Sequence, residues 1–173
     1  MATQPRILLA PGASGNPKQL APHASGLRER GYEVEIISLP KGTVERAMPI
    51  YREAIGREPA SIVTGGQSFG GRVASLLAAD EPPKALILCA YPLHAPGRHE
   101  AWRERTAHWP RISCPVLLLS GESDPFARVD LLREAVGQVS NAKLVTYPGV
   151  GHGVEPVIDQ ALDEVDAFLR SNT

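Results

Sequence analysis

Cysteine is scarce in this chain: 173 residues contain only Cys89 and Cys114, and both sit in or beside apolar runs. Two thiols cannot build a disulfide framework, so the pattern predicts buried free cysteines and a reducing, cytoplasmic setting. Long hydrophobic runs are lacking too. None approaches the roughly 18 apolar residues that a membrane span needs. The opening MATQPRILLAPG meets a proline and an arginine before any apolar core of a leader forms, so no signal peptide is expected. Nor is there an excess of one charge: 18 Lys and Arg face 19 Asp and Glu, a formal charge of -1, without a basic arm or stripe. Nucleic acid and anionic membranes are therefore not expected as partners. With no Gly/Ser-rich linker, internal repeat or low-complexity tail, residues 1–173 read as one domain with one core.

What is present is an alternation of short β-rich apolar runs with amphipathic stretches. Arg6–Ala10 reads as a strand stopped by Pro11 and Gly12, and Asn16-Pro17 as a cap opening a helix that Gly31 closes. Tyr32–Leu39 reads as a strand, and 44–56 as a helix that Pro49 splits or kinks. Ser61–Thr64 is the next strand and Phe69–Ala79 the next helix. Ala85–Ala90 and Pro115–Ser120 are apolar at nearly every position, as strands covered on both faces are. Arg128–Val139 is helical, Lys143–Tyr147 a strand and Val154–Arg170 a closing helix. Six strands separated by helices predict an α/β fold: a doubly wound, six-stranded, mainly parallel sheet with helices on both faces. Only 91–113 lacks a clear period, and it holds both tryptophans and three histidines.

Ligands of such sheets bind beyond the carboxyl ends of the strands, and there the chemistry-bearing residues gather. Gly65-Gly66-Gln67-Ser68-Phe69-Gly70-Gly71 contains G-x-S-x-G between a strand and a helix. A serine on so tight a turn is pushed out over the sheet, and side chains two residues to either side would collide across it. The bare pattern arises by chance in glycine-rich chains, and a phosphate-binding βα turn is the competing meaning. Neither G-x-x-x-x-G-K-[ST] nor G-x-G-x-x-G is present, so a nucleotide site has no support.

A serine hydroxyl needs a base to take its proton and a third group to orient that base. Two further strand exits supply both, in the order serine, acid, histidine: Gly121-Glu122-Ser123-Asp124-Pro125 and Pro148-Gly149-Val150-Gly151-His152-Gly153. Asp124 is preferred to Glu122 because it lies further past the strand, while Asp80 and Asp130 belong to helices. The oxyanion donors are expected to be the backbone N–H groups of Phe69, next after the serine, and of Ala13 in the first strand's exit loop. No metal is expected, because the spacings of His94, His99 and His108 match no ligand motif.

The stretches GGQSFGG, GESDPF and GVGHG, preceded by LLAPGASGN and joined by YPLHAPGR, resemble the small, capless α/β-hydrolases of the dienelactone-hydrolase-like branch, in particular the bacterial relatives of the testis-expressed hydrolase-like proteins. The resemblance runs from Arg6 to Leu169. It implies a minimal α/β-hydrolase fold of six parallel strands, with Ser68, Asp124 and His152 as catalytic triad. Pro11 stands where many relatives carry a histidine. Dienelactone hydrolases proper use a cysteine nucleophile, so their substrate does not transfer.

The expected activity is that of a serine esterase or thioesterase, cleaving a small or short-acyl substrate through an acyl-enzyme without a cofactor, as a monomer or small homo-oligomer. A non-catalytic interaction module that kept the fold, and a lyase or peroxidase built on the same triad, are the alternatives. Two roles are open to His94, Trp102 and Trp109: a wall of the site, or packing of their loop against the sheet.

Overall fold

Strands whose side chains alternate between two buried faces read as continuous apolar runs. The computed structural model, which describes residues 4–173, realises this. The strands are β1 (Ile7–Ala10), β2 (Val34–Ile36), β3 (Val63–Gln67), β4 (Ala85–Cys89), β5 (Val116–Gly121) and β6 (Ala142–Tyr147). They form one sheet in the order β2-β1-β3-β4-β5-β6, every neighbouring pair parallel. Between them run α1 (Ala21–Glu29), α2 (Val44–Ile55), α3 (Phe69–Asp80), α4 (Trp102–Arg105), α5 (Val129–Val136) and α6 (Ile158–Asn172).

Ile7 and Leu9 of β1 and Leu117 and Leu119 of β5 pack against Leu27 of α1 and Leu162, Val165 and Phe168 of α6. The alternate residues Leu8, Leu86, Leu88 and Leu118 pack on the other face against Tyr51 of α2, Val73 and Leu77 of α3, and Leu132 of α5. Each such side chain taken out of water contributes about 1.5–3 kcal/mol. The chain leaves β1 toward one edge and β3 toward the other, so the strand order reverses between β1 and β3. Such a switch point leaves a crevice where two exit loops part.

Several element boundaries move from those expected, for identifiable reasons. The ladder of β2 covers only Val34–Ile36 of the expected 32–39, because its partner β1 is itself only four residues long. β3 starts later and runs through Gly65, Gly66 and Gln67, which the ladders with β1 and β4 hold extended despite their poor strand propensity. α2 is continuous through Pro49, which is exposed, so the carbonyl that its missing N–H leaves free is on the solvent side of the helix. The first helix opens with a 3-10 turn, Pro17–Leu20, capped by the side chain of Asn16 accepting from Lys18 N–H.

Tyr51 links α2 to the sheet. Fully buried, its hydroxyl accepts from Gly65 N–H at 3.0 Å and lies 2.6 and 2.9 Å from the carbonyl oxygens of Gly65 and Leu8. Tyr51→Phe strands a buried N–H and at least one carbonyl. Urea unfolding should therefore show a loss of about 2–3 kcal/mol.

The segment 91–113 is packed rather than open. Trp109 is wholly buried, its ring edge-on to Tyr91 with centroids 5.0 Å apart, and Trp102 is 6% exposed. Ser75 donates to the Arg72 carbonyl, so its oxygen accepts from His108 Nε2–H at 2.8 Å. Burial first, then Arg111 and Arg72, push His108 down from 6.5 to about 4. Burial also lowers His23, against the pull of Glu155. A neutral histidine in the folded state and a charged one in the unfolded state make the unfolded chain bind more protons between these values. This contribution is intact above pH 6.5 and is lost as pH falls toward 4. His108→Gln should flatten that acid limb by about 1–2 kcal/mol, measured by urea midpoints across the range.

Candidate active site

β3 ends at Gln67 and α3 begins at Phe69, so one residue, Ser68, turns the chain from strand to helix. Its φ of 49° and ψ of -118° lie in a region that costs a side-chain-bearing residue about 1–3 kcal/mol. The turn is held by Ser68 N–H donating to the Cys89 carbonyl at 2.8 Å, and by the Ser68 carbonyl accepting from Arg72 N–H at 3.0 Å. Its glycines are required by close approach. A Cβ on Gly66 would lie 2.5 Å from the Ala10 carbonyl oxygen and 2.6 Å from Gly70 C. One on Gly70 would overlap the carbonyl oxygens of Ala10 and Pro11. The exit of β1 therefore presses directly on the serine turn.

His152 follows β6 on a glycine-flanked loop and Asp124 follows β5. These two loops are joined by Ser123 N–H donating to the Val150 carbonyl and Glu122 N–H to that of Tyr147, both at 2.9 Å. His152 Nε2 lies 2.8 Å from Ser68 Oγ, and Nδ1 lies 2.8 Å from Asp124 Oδ2. An ionised carboxylate only accepts, so Nδ1 carries the proton and Nε2 is free to accept from the serine hydroxyl. Asp124 Oδ1 accepts Phe126 N–H at 2.8 Å, and its side chain has no solvent exposure. Glu122 is turned away, accepting from the Thr146 hydroxyl at 2.8 Å with Arg133 at 3.7 Å. Asp80 faces Arg111, and Asp130 pairs with Arg128.

Ser68 and His152, with Gly12, Ala13, Gln19 and Phe126, line a cavity of about 310 Å³. Ala13 is thus beside the serine, and Phe69 is the first residue of α3. Among the described residues, neither backbone N–H donates to another group of the chain. Among the described residues, no charged side chain lines this cavity, although Ser14, Gln19 and Gln67 contribute polar groups. A larger cavity of about 650 Å³ lies at the opposite, amino-terminal ends of β1, β3 and β4, beside Arg6, Glu58 and Lys84. Among the described residues, neither cysteine nor histidine lines it. Burial pushes the thiols of Cys89 and Cys114 up to about 12 and about 11, which removes both as nucleophiles at neutral pH.

The structure adds Phe126 to this site and fixes the place of His94. The ring of Phe126 stacks on His152 with centroids 4.4 Å apart, and the only signal for it was an aromatic two positions after the acid. His94 acts from behind: its N–H donates to the Phe126 carbonyl, and its Nε2 accepts Arg128 N–H at 3.0 Å. Buried to 1% exposure, His94 supports the acid loop rather than lining the cavity. Trp102 and Trp109 pack in the core on the α3 face, so packing decides the role of all three.

A parallel sheet with a serine on the β3–α3 turn defines an α/β-hydrolase fold. Residues 42–170 match the family described as alpha/beta hydrolase domain, and the chain belongs to it. An uncharacterized protein of Mycobacterium tuberculosis is 34% identical over 128 residues, which cover 65% of this chain and 46% of that protein. The chain thus spans less than half the length of the curated relatives it matches. Among solved structures, a monoacylglycerol lipase of Paleococcus ferrophilus superposes with a TM-score of 0.83 at 15% identity, over 96% of this chain and 94% of that one. Est1E of Butyrivibrio proteoclasticus with bound ferulic acid gives 0.78 at 18%, over 97% and 89%. The enol-lactonase of Burkholderia xenovorans gives 0.78 at 18%, over 98% and 92%. At these identities the likeness is one of fold. Among the described residues, no helix is long and apolar enough to cross a membrane.

Proposed function

We infer that residues 1–173 act as one hydrolase domain that cleaves a carboxylic ester or thioester, with Ser68 as nucleophile, His152 as base and Asp124 as its orienting acid. The observation that carries this reading is the unbroken hydrogen-bond chain from Ser68 Oγ through His152 to the buried Asp124 carboxylate. Ser68 Oγ attacks the acyl carbon as His152 Nε2 takes its proton, and Asp124 stabilises the imidazolium. The carbonyl oxygen becomes an oxyanion, for which the proposed donors are the N–H groups of Phe69 and Ala13, each such donor being worth about 3 kcal/mol of barrier. His152 returns the proton to the leaving oxygen or sulfur. It then activates the water that releases the acid.

The uncharged cavity of about 310 Å³ favours a small, neutral acyl group. A monoacylglycerol lipase and an enol-lactonase among the structures of similar fold accord with hydrolysis of a carboxylic ester. The test is labelling by a fluorophosphonate, followed by a panel of p-nitrophenyl esters and acyl thioesters of increasing length. Adduct formation on Ser68 with a preference for short acyl chains is expected. An intact protein that neither labels nor turns over any ester would favour a non-catalytic binding module.

A further inference from the structure

One helical turn beyond Ser68, two arginines face a second cavity without a counter-ion. Arg72 of α3 and Arg105 of α4 line a space of about 290 Å³ together with Ala95, Arg98, Ala101 and Glu104. Arg72 Nε is buried and has no hydrogen-bond partner. Among the described residues, neither Arg72 nor Arg105 has a carboxylate within 4.0 Å. Arg105 Nη1 donates to the Pro92 carbonyl at 3.0 Å, which aims the guanidinium but leaves its charge unbalanced. Burial, then the charge of Arg72, lowers Arg105, with Tyr91 and Glu104 acting the other way. Arg98 has Glu100 at 3.8 Å, and Glu104, the one carboxylate on the wall, is exposed.

Two like charges held near each other, one with a buried unpaired donor, cost free energy that an oxyanion between them would recover. The guanidinium fork matches carboxylate and phosphate oxygens. The position relative to Ser68 says which part of a substrate would bring that anion. Arg72 lies four residues after Ser68, about 6 Å along the helix axis. The uncharged cavity lies toward the β1 exit loop, while Ala95 of the arginine cavity follows His94, whose N–H holds the carbonyl of Phe126. Phe126 thus walls one cavity and is tied to the rim of the other.

We propose that the pocket of Arg72 and Arg105 binds a carboxylate or phosphate on the leaving group of the ester or thioester that Ser68 cleaves. The substrate is then a neutral acyl group on an anionic alcohol or thiol. This rests on the hydrolytic reading of Ser68. In the step itself, the Ser68 Oγ–acyl bond forms as the bond from acyl carbon to leaving group breaks. The Ser68 proton passes through His152 to the leaving atom, and the anion stays at the arginines throughout.

The test compares 4-carboxyphenyl butanoate with 4-(methoxycarbonyl)phenyl butanoate, which is neutral and has the intrinsically better leaving group. Wild-type protein should prefer the carboxylate by about tenfold in kcat/KM. Arg72→Gln and Arg105→Gln should each remove most of that preference, Arg105→Lys should restore part of it, and raising the salt to about 0.5 M should weaken it. A wild-type ratio of one or less, unchanged in Arg72→Gln, would overturn the proposal. If neither ester is hydrolysed, the reading of Ser68 fails, and the arginines are judged by calorimetry alone. Titration of 4-hydroxybenzoate into Ser68→Ala protein should show binding that Arg72→Gln abolishes, and no binding overturns the site. Inorganic phosphate that binds without competing with the carboxylate ester would assign the pocket to a separate anion and overturn the leaving-group assignment.

Discussion

Ser68→Ala is expected to lower kcat for a short p-nitrophenyl ester by about 10⁴-fold or more, with little change in KM. Alanine removes the proposed nucleophile and leaves the cavity and both proposed oxyanion donors in place. Residual activity should come from bound water and those donors alone. Because serine and histidine act as a unit, the double change Ser68→Ala with His152→Ala should be hardly worse than either alone. The left-handed backbone at Ser68 is imposed by the Cys89 and Arg72 hydrogen bonds, which alanine keeps. The variant should therefore fold, and circular dichroism beside the kinetics checks this. Loss of less than tenfold in kcat would remove Ser68 from the chemistry.

Asp124→Asn is expected to cost about 10³–10⁴-fold in kcat with a smaller change in KM. The carboxylate receives two donors, His152 Nδ1–H and Phe126 N–H, each at 2.8 Å. With its oxygen kept on Phe126 N–H, an asparagine turns its amide N–H₂ toward Nδ1. The imidazole then moves its proton to Nε2, where it faces Ser68 Oγ as a second donor and takes no proton from it. The geometry survives and the base does not. A variant retaining more than a tenth of wild-type kcat would mean that Asp124 only packs beneath His152. Glu122→Gln serves as the control, since its carboxylate engages Thr146 and Arg133 instead.

These expectations join parts of the chain that differ in how plainly they could be read beforehand. The strands β4 and β5 were evident because residues 85–89 and 116–119 are apolar at each position, and burial on both faces leaves few other places for such runs. β3 is less legible, because Gly65 and Gly66 look like turn residues locally. Their extended state is imposed by neighbours on both sides. The role of Tyr51 was hidden for a similar reason: its partners, Leu8 and Gly65, are distant in sequence and offer backbone atoms, which leave no trace in side-chain pattern. Phe126 and His94 act through contacts between loops, which no periodicity records.

By itself the sequence determined the alternation of elements, hence a parallel sheet, and put a serine, an acid and a histidine at three strand exits. Both follow from local chemistry: periodicity of burial, glycines at a tight turn, prolines at strand ends. Position past the strand favoured Asp124 over Glu122 in the 121–125 loop, and tertiary structure decided the contact, turning Asp124 to the histidine and Glu122 to Thr146. Among the described residues, it also left Arg72 and Arg105 without counter-ions on one cavity. Distances between side chains far apart in the chain depend on sheet order and on the hydrogen bonds between loops. Both emerge only when the whole core is packed.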